Sequence, residues 1–259
     1  MSHHFIRFSN VYYSYPGGHE ALRGVSFLIT HGERVALLGR NGAGKSTLML
    51  LTDEFLTASA GEVNIGDIPI TKKTLPLVRQ SVGLVFQNPD DQLFMPTVEE
   101  DVAFGPLNMQ LPEMEVEQRI DAALKAVNAI DLRTRSPMQL SGGQKRRVAI
   151  ATVLSMEPNI LVLDEPTSNL DFGAHRDLIT LLANFMHTQL IATHDLDMVR
   201  ELCPRSIVLH EGKILADGPT SVLLEDCEVR LALGLMDEPP LMQQSTYLIN
   251  LILTLTYWN

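Results

Sequence analysis

Apolar and polar positions alternate twice near the start of the chain, over Ile6 to Tyr15 and Leu22 to Ile29, and Pro16-Gly17-Gly18 lies between the two runs. Two strands joined by a turn are predicted there, with Val25, Phe27 and Ile29 on one face of the second. Val35 to Leu38 is a short apolar run that enters a glycine-rich turn, and Ser46 to Leu51 leaves it as a helix-like run. Gly61 to Ile70 reads as a strand pair, and Ser81 to Phe86 as a short buried strand that ends in Gln87. From Thr97 to Val127 the period becomes helical. Thr97 and Glu100 form a capping box. Val116, Ile120, Ala123, Leu124 and Val127 share one helix face, with Glu115, Glu117, Arg119 and Asp121 around the rest. This predicts an insertion of two or three helices that closes near Pro137. A basic helix start, Lys145-Arg146-Arg147, then leads into an apolar face through Val148 and Ala151. Ile160 to Leu163 and Leu190 to Thr193 are continuous apolar runs, as central parallel strands are. Ser206 to Leu209, Glu211-Gly212 and Lys213 to Ala216 read as a closing hairpin. The sequence shows no internal repeat.

Composition narrows the class. The 259 residues suffice for one large domain or two small ones, and 45% hydrophobic with 20% charged residues is ordinary for a globular chain. The formal net charge of −11 argues against nonspecific nucleic-acid binding, which needs clustered Lys and Arg. Cys203 and Cys227 lack metal-ligand spacing and read as reduced and structural. His3, His4 and Arg7 break up any signal-peptide pattern, and no window reaches the length of a membrane span. The stretch LMQQSTYLINLILTLTYWN after Pro240 carries no charge and is assigned no role.

The chemistry gathers at loops that follow strands. G-x-x-x-x-G-K-S runs from Gly39 to Ser46, between a strand and a helix, which is the context a phosphate-binding loop requires. Gly39, Gly42 and Gly44 permit a tight turn with inward N–H groups, Lys45 reaches outer phosphates, and the Ser46 hydroxyl suits Mg²⁺. Gln87 reads either as a group that reaches a metal or attacking water, or as a surface amide that ends a strand. Tyr15 reads equally as an adenine platform or a core aromatic. Ser141 and Gln144 satisfy a capping box. The same corner, with Gly142 and Gly143, presents a hydroxyl and backbone N–H donors to an anionic oxygen. Asp164-Glu165 stands where a buried strand ends, with Asp164 suited to Mg²⁺ and Glu165 to accepting a proton from water. His194 ends another strand of the same sheet.

In this order, GRNGAGKST (39–47), Gln87, LSGGQ (140–144), ILVLDE (160–165), SNLD (168–171) and His194 resemble the ATP-binding cassette ATPases of ABC transporters, over roughly residues 5–225. FQNPDDQLF and TVEEDVAFGPLNM are similar to the energy-coupling-factor ATPases of cobalt and nickel importers. The resemblance implies an α/β P-loop NTPase cassette with a RecA-like core sheet, an N-terminal antiparallel β subdomain and an inserted helical subdomain at about 88–153. It implies a cassette over 1–235 and a tail over 236–259. It also implies ATP and Mg²⁺ as cofactors. Tyr15 would stack on adenine. Gly39, Arg40, Asn41, Gly42, Ala43, Gly44, Lys45, Ser46 and Thr47 would wrap the phosphates. Ser46, Gln87 and Asp164 would serve Mg²⁺. Glu165, His194 and Gln87 would be catalytic. Ser141, Gly142, Gly143 and Gln144 would face the ATP of a second cassette, like or unlike, with Asp171 crossing the dimer interface. The implied partners are an integral-membrane coupling protein, with Asp90 and Asp91 as candidate docking residues, and a substrate-binding membrane protein, but no nucleic acid. The implied location is the cytoplasmic face of the membrane, bound peripherally. A cassette acting on nucleic acid or ribosomes is disfavoured by the single cassette, short insertion and acidic balance, and an export cassette by the FQNPDDQ segment.

Overall fold

Alternating burial builds the first sheet. In β1 (Ile6–Ser14) Ile6, Phe8, Val11 and Tyr13 are buried and the residues between them are not. β2 (Glu20–Ile29) pairs with it antiparallel and sets Phe27 opposite Phe8, their rings stacked at 4.6 Å. A computed structural model describes residues 5–236; the uncharged C-terminal stretch lies outside the described residues.

β3 (Arg34–Leu38) leads into α1 (Lys45–Leu50). β4 (Ala60–Ile65) and β5 (Ile68–Pro69) complete a four-stranded sheet in the order β2-β1-β4-β5. Then follow α2 (Leu75–Ser81), β6 (Val82–Val85), α3 (Val98–Asn108), α4 (Glu113–Ala126), α5 (Gly142–Leu154), β7 (Ile160–Asp164), α6 (Phe172–Asn184), β8 (Thr188–Ala192), α7 (Leu196–Leu202), β9 (Arg205–His210), β10 (Lys213–Pro219), α8 (Thr220–Leu223) and α9 (Cys227–Ala232). The second sheet has the order β10-β9-β3-β8-β7-β6 and is parallel apart from β10.

β6, β7 and β8 are buried at every position, because both faces of this sheet are covered. Ala36 and Leu38 of β3 enter a core shared with Val102, Ile150, Leu178 and Met198 of the helices. Val35 and Leu37 enter the opposite core, shared with Phe8, Val25 and Leu48. The two-residue period of one strand thus joins the helical layer to the antiparallel sheet. Parallel registers, Val85 with Leu163, Asp164 with Ala192 and Leu37 with Ala192, bring four strand ends to one edge. Ligands of open α/β sheets bind at such an edge.

The helical stretch begins as its pattern predicts. Thr97 accepts from the Glu100 N–H while Glu100 accepts from the Thr97 N–H, so both halves of the capping box are formed. The predicted α4 face is buried at Val116, Ile120, Ala123 and Leu124. The strand predicted over Ser81 to Phe86 is shorter, because Ser81 closes α2 and the Phe86 N–H turns to Gln92 Oε1. α2, α6 and α7 have no counterpart in the sequence pattern. α2 and α7 are seven residues each, too short for a helical period to register, and α6 buries only Leu178, Ile179 and Leu182. Burial pushes the Cys203 thiol up to about 12, consistent with an inert structural role, and both cysteines are free. Among the described residues no helix is long and apolar enough to cross a membrane.

Candidate active site

The turn after β3 exists because its glycines accept backbone that other residues resist. Gly44 has φ +106°, and a Cβ there would lie 2.6 Å from the Ala21 carbonyl oxygen. That backbone conformation and that contact both demand glycine. The turn is anchored by the β9–β10 hairpin, whose Gly212 donates to the Ala43 carbonyl and accepts from the Arg23 N–H. Lys45 is then drawn inward: Nζ donates to the Gly39 carbonyl at 2.7 Å and lies 3.4 Å from that of Arg40.

Around this turn lies a cleft of about 460 Å³, lined by Tyr15, His19, Lys45, Ser46, Thr47, Gln87, Asp164 and Glu165 among others. Its size suits a nucleotide. Tyr15 is not a core aromatic. It is partly exposed at the cleft, with its hydroxyl 2.9 Å from Thr47 Oγ1. Asp164 is buried and hydrogen-bonded to Ser46; burial pushes its carboxyl up, while Ser46 and Lys45 pull the other way. The Ser46 hydroxyl, the Asp164 carboxylate and the Gln87 side-chain carbonyl are hard oxygen donors lining one cleft, a set that fits Mg²⁺.

Glu165 follows with φ +48°, a left-handed conformation uncommon for a residue with a side chain. Its N–H donates to the Ala192 carbonyl, and its Oε2 meets the loop after β8. Thr193 Oγ1 donates to that oxygen at 3.2 Å and the His194 N–H at 3.3 Å, while His194 Nδ1 lies 2.8 Å away. The His194 ring is otherwise largely in solvent, at 78% exposed.

Ser141 caps α5 in a complete capping box with Gln144. None of residues 141–144 lines the cleft. The 141–144 corner instead neighbours the loop before α6, with Leu170 and the Asn169 carbonyl next to Gly143. Asp171 caps α6 by accepting from the Ala174 N–H at 2.9 Å.

This constellation, with a phosphate-type loop, an Asp-Glu strand end and a glycine corner outside the cleft, matches known proteins. The chain matches the ABC transporter family over residues 22–168. An ABC transporter ATP-binding protein of Geobacter sulfurreducens is 56% identical over 243 residues, 94% of this chain and 97% of the relative. The chain belongs to the ABC transporter ATP-binding family. The energy-coupling factor transporter ATP-binding protein EcfA of Methanocaldococcus jannaschii is 47% identical to this cassette over 230 residues, 87% of it and 82% of the relative. The structure of cbiO1 from Clostridium perfringens, described as part of the transporter complex cbiONQ, superposes with TM-score 0.76 at 38% identity. That match covers 93% of this cassette and 98% of cbiO1. The cassette MJ0796, 30% identical with TM-score 0.76 over 83% of this chain and 98% of its own, was captured as a dimer after hydrolysis with ADP and Pi. The chain is an ABC-type ATPase with the P-loop NTPase cassette fold.

Neither Arg146 nor His19 is singled out as a site residue by the sequence. Arg146, read only as part of a basic helix start, is buried under the cleft edge and donates to the carbonyls of Phe86 and Gln87. Gln92 holds the same segment from its other end, through the Phe86 N–H, the Ala149 carbonyl and Thr152 Oγ1. His19 joins the cleft with its ring nearly parallel to that of Tyr15, at 15°. Asp90 is paired within its own chain, to Lys145 Nζ at 2.5 Å.

Proposed function

We propose that this cassette is the ATP-hydrolysing subunit of an energy-coupling-factor importer, bound peripherally at the cytoplasmic face of a membrane and driving uptake of cobalt or nickel ion. The observation that carries the reading is the near full-length similarity to EcfA and cbiO1, the latter described as part of a transporter complex. The NPDDQ segment (88–92) that resembles this group borders a second groove, of about 560 Å³. Phe55, Phe86, Phe94 and Phe104 line it, between α2 and the α3–α5 layer. Phe94 is 63% exposed, and so much aromatic surface beside the Gln87 segment suits a helix of the membrane coupling protein.

Chemistry in the cleft follows from its groups. Lys45 exchanges the Gly39 and Arg40 carbonyls for the β and γ phosphates, and residues 39–47 cradle the phosphates with backbone N–H groups. Tyr15 stacks on adenine. Ser46, Gln87 and Asp164 hold Mg²⁺, which when bound neutralises charge on the phosphate oxygens. Glu165 orients and deprotonates the attacking water, and His194 moves between Glu165 and the γ-phosphate. Because 141–144 stands outside its own chain's cleft, Ser141, Gly142, Gly143 and Gln144 complete the site of a second cassette, with Asp171 at that interface. ATP therefore closes the dimer, and loss of the γ-phosphate reopens it.

Purification from membranes tests the reading. The cassette should co-extract with a small integral-membrane protein, and cobalt or nickel uptake by cells carrying the complex should stop in Glu165→Gln. Extraction without any membrane protein, or uptake indifferent to Glu165, would contradict it.

A further inference from the structure

Among the described residues, the side-chain contacts that hold Glu165 all fall on one oxygen. Thr193 Oγ1, the His194 N–H and His194 Nδ1 all meet Oε2. Of these, the imidazole is largely solvent-exposed, whereas Thr193 is buried at 1% exposed. The hydroxyl is itself aimed. The Asp195 N–H donates to Thr193 Oγ1 at 3.1 Å, so its single proton is free to point at Glu165. Asp195 is fixed in turn: Oδ1 accepts from the Met198 N–H at 3.0 Å, and Oδ2 lies 2.6 Å from His175 Nε2. His175 stands on α6, one turn beyond Asp171, and donates its N–H to the Asp171 carbonyl.

We propose that Thr193 is a positioning residue for Glu165, oriented by Asp195 and His175, so that a hydrogen-bonded chain runs from the start of α6 to the hydrolytic carboxylate. The inference rests on the reading of Glu165 as the group that activates water. With Oε2 occupied by donors from the β8 end, Oε1 is left for the attacking water. A buried hydroxyl keeps this orientation while the exposed His194 ring swings toward phosphate. The chain also joins the Asp171 end of α6 to the base, so closure of a second cassette against that end and orientation of Glu165 are mechanically linked.

The test is steady-state ATP hydrolysis by the full chain with Thr193→Val, Thr193→Ser and Glu165→Gln, singly, and with Val and Gln together. Valine keeps the branched shape and removes the hydroxyl, whereas serine keeps the hydroxyl. Thr193→Val should lower kcat about three- to tenfold, the value of one hydrogen bond, with KM for ATP unchanged. Thr193→Ser should recover most of the loss, and the losses of Thr193→Val and Glu165→Gln should not multiply. Parental kcat in Thr193→Val, an equal loss in Thr193→Ser, a rise in KM alone, or losses that multiply would each overturn the proposal. Parental turnover in Glu165→Gln would instead overturn the base assignment. Should Thr193→Val not fold, His175→Ala and His175→Gln carry the test. A kcat loss in Ala that Gln recovers supports the chain, and parental kcat in Ala contradicts it.

Discussion

Arg146 Nη1 donates a 2.7 Å hydrogen bond to the Phe86 carbonyl, and Nη2 of the same guanidinium donates to the carbonyl of Gln87. A residue of α5 thereby fixes the end of β6 that presents Gln87 to the cleft. The guanidinium is buried, which lowers its pKa, and the nearby Asp164 and Glu165 charges partly offset this. Arg146→Met should leave two carbonyls without donors at a cost of roughly 2–4 kcal/mol, read by denaturant unfolding, and should lower kcat. Arg146→Lys should recover part of the stability. Parental stability in Arg146→Met would contradict this role.

Lys45 bridges the phosphate loop to its own carbonyls. Lys45→Ala should weaken ATP binding by roughly 10- to 100-fold in calorimetry, since a charge-assisted contact to phosphate contributes about 1.5–3 kcal/mol. An unchanged Kd would count against the phosphate-loop assignment.

Asp53 lines the aromatic groove with little solvent, and burial raises its carboxyl from 3.8 to about 6, against the opposing pull of Arg79. The native state then binds the proton more tightly than the unfolded chain, so this group's contribution to stability falls as pH rises from about 4 through 6. The gap corresponds to at most about 3 kcal/mol at neutral pH. Asp53→Asn should therefore melt higher than the parent at pH 8 and converge with it toward pH 4. A difference independent of pH would contradict the assignment.

Thr97→Ala removes one half of the capping box at the start of α3. It should cost about 1 kcal/mol of stability with no change in ATP affinity, because the cap stabilises the helix end and the cleft lies elsewhere. A change in affinity without loss of stability would contradict that separation.

The capping boxes at Thr97 and Ser141 were legible because they rest on residues three positions apart, and the buried strands were legible as apolar runs. The loop at 39–47 was equally plain, since glycine, lysine and serine must stand at fixed offsets around phosphate. Arg146, Thr193 and His175 were not. Each acts through a partner 20 to 60 positions away, and a local pattern holds no trace of such contacts. The contact of Asp90 with Lys145, 55 positions on, is hidden from a local pattern for the same reason. Short helices such as α2 and α7 were hidden for a different reason, having too few turns to reveal a period.

The claim that one chain supplies the phosphate loop and another the 141–144 corner is tested most directly by sedimentation velocity of Glu165→Gln with ATP and Mg²⁺. A dimer should form only with ATP and should be lost when Ser141→Arg is added to the same chain. A monomer under saturating ATP, or a dimer indifferent to Ser141→Arg, would contradict it.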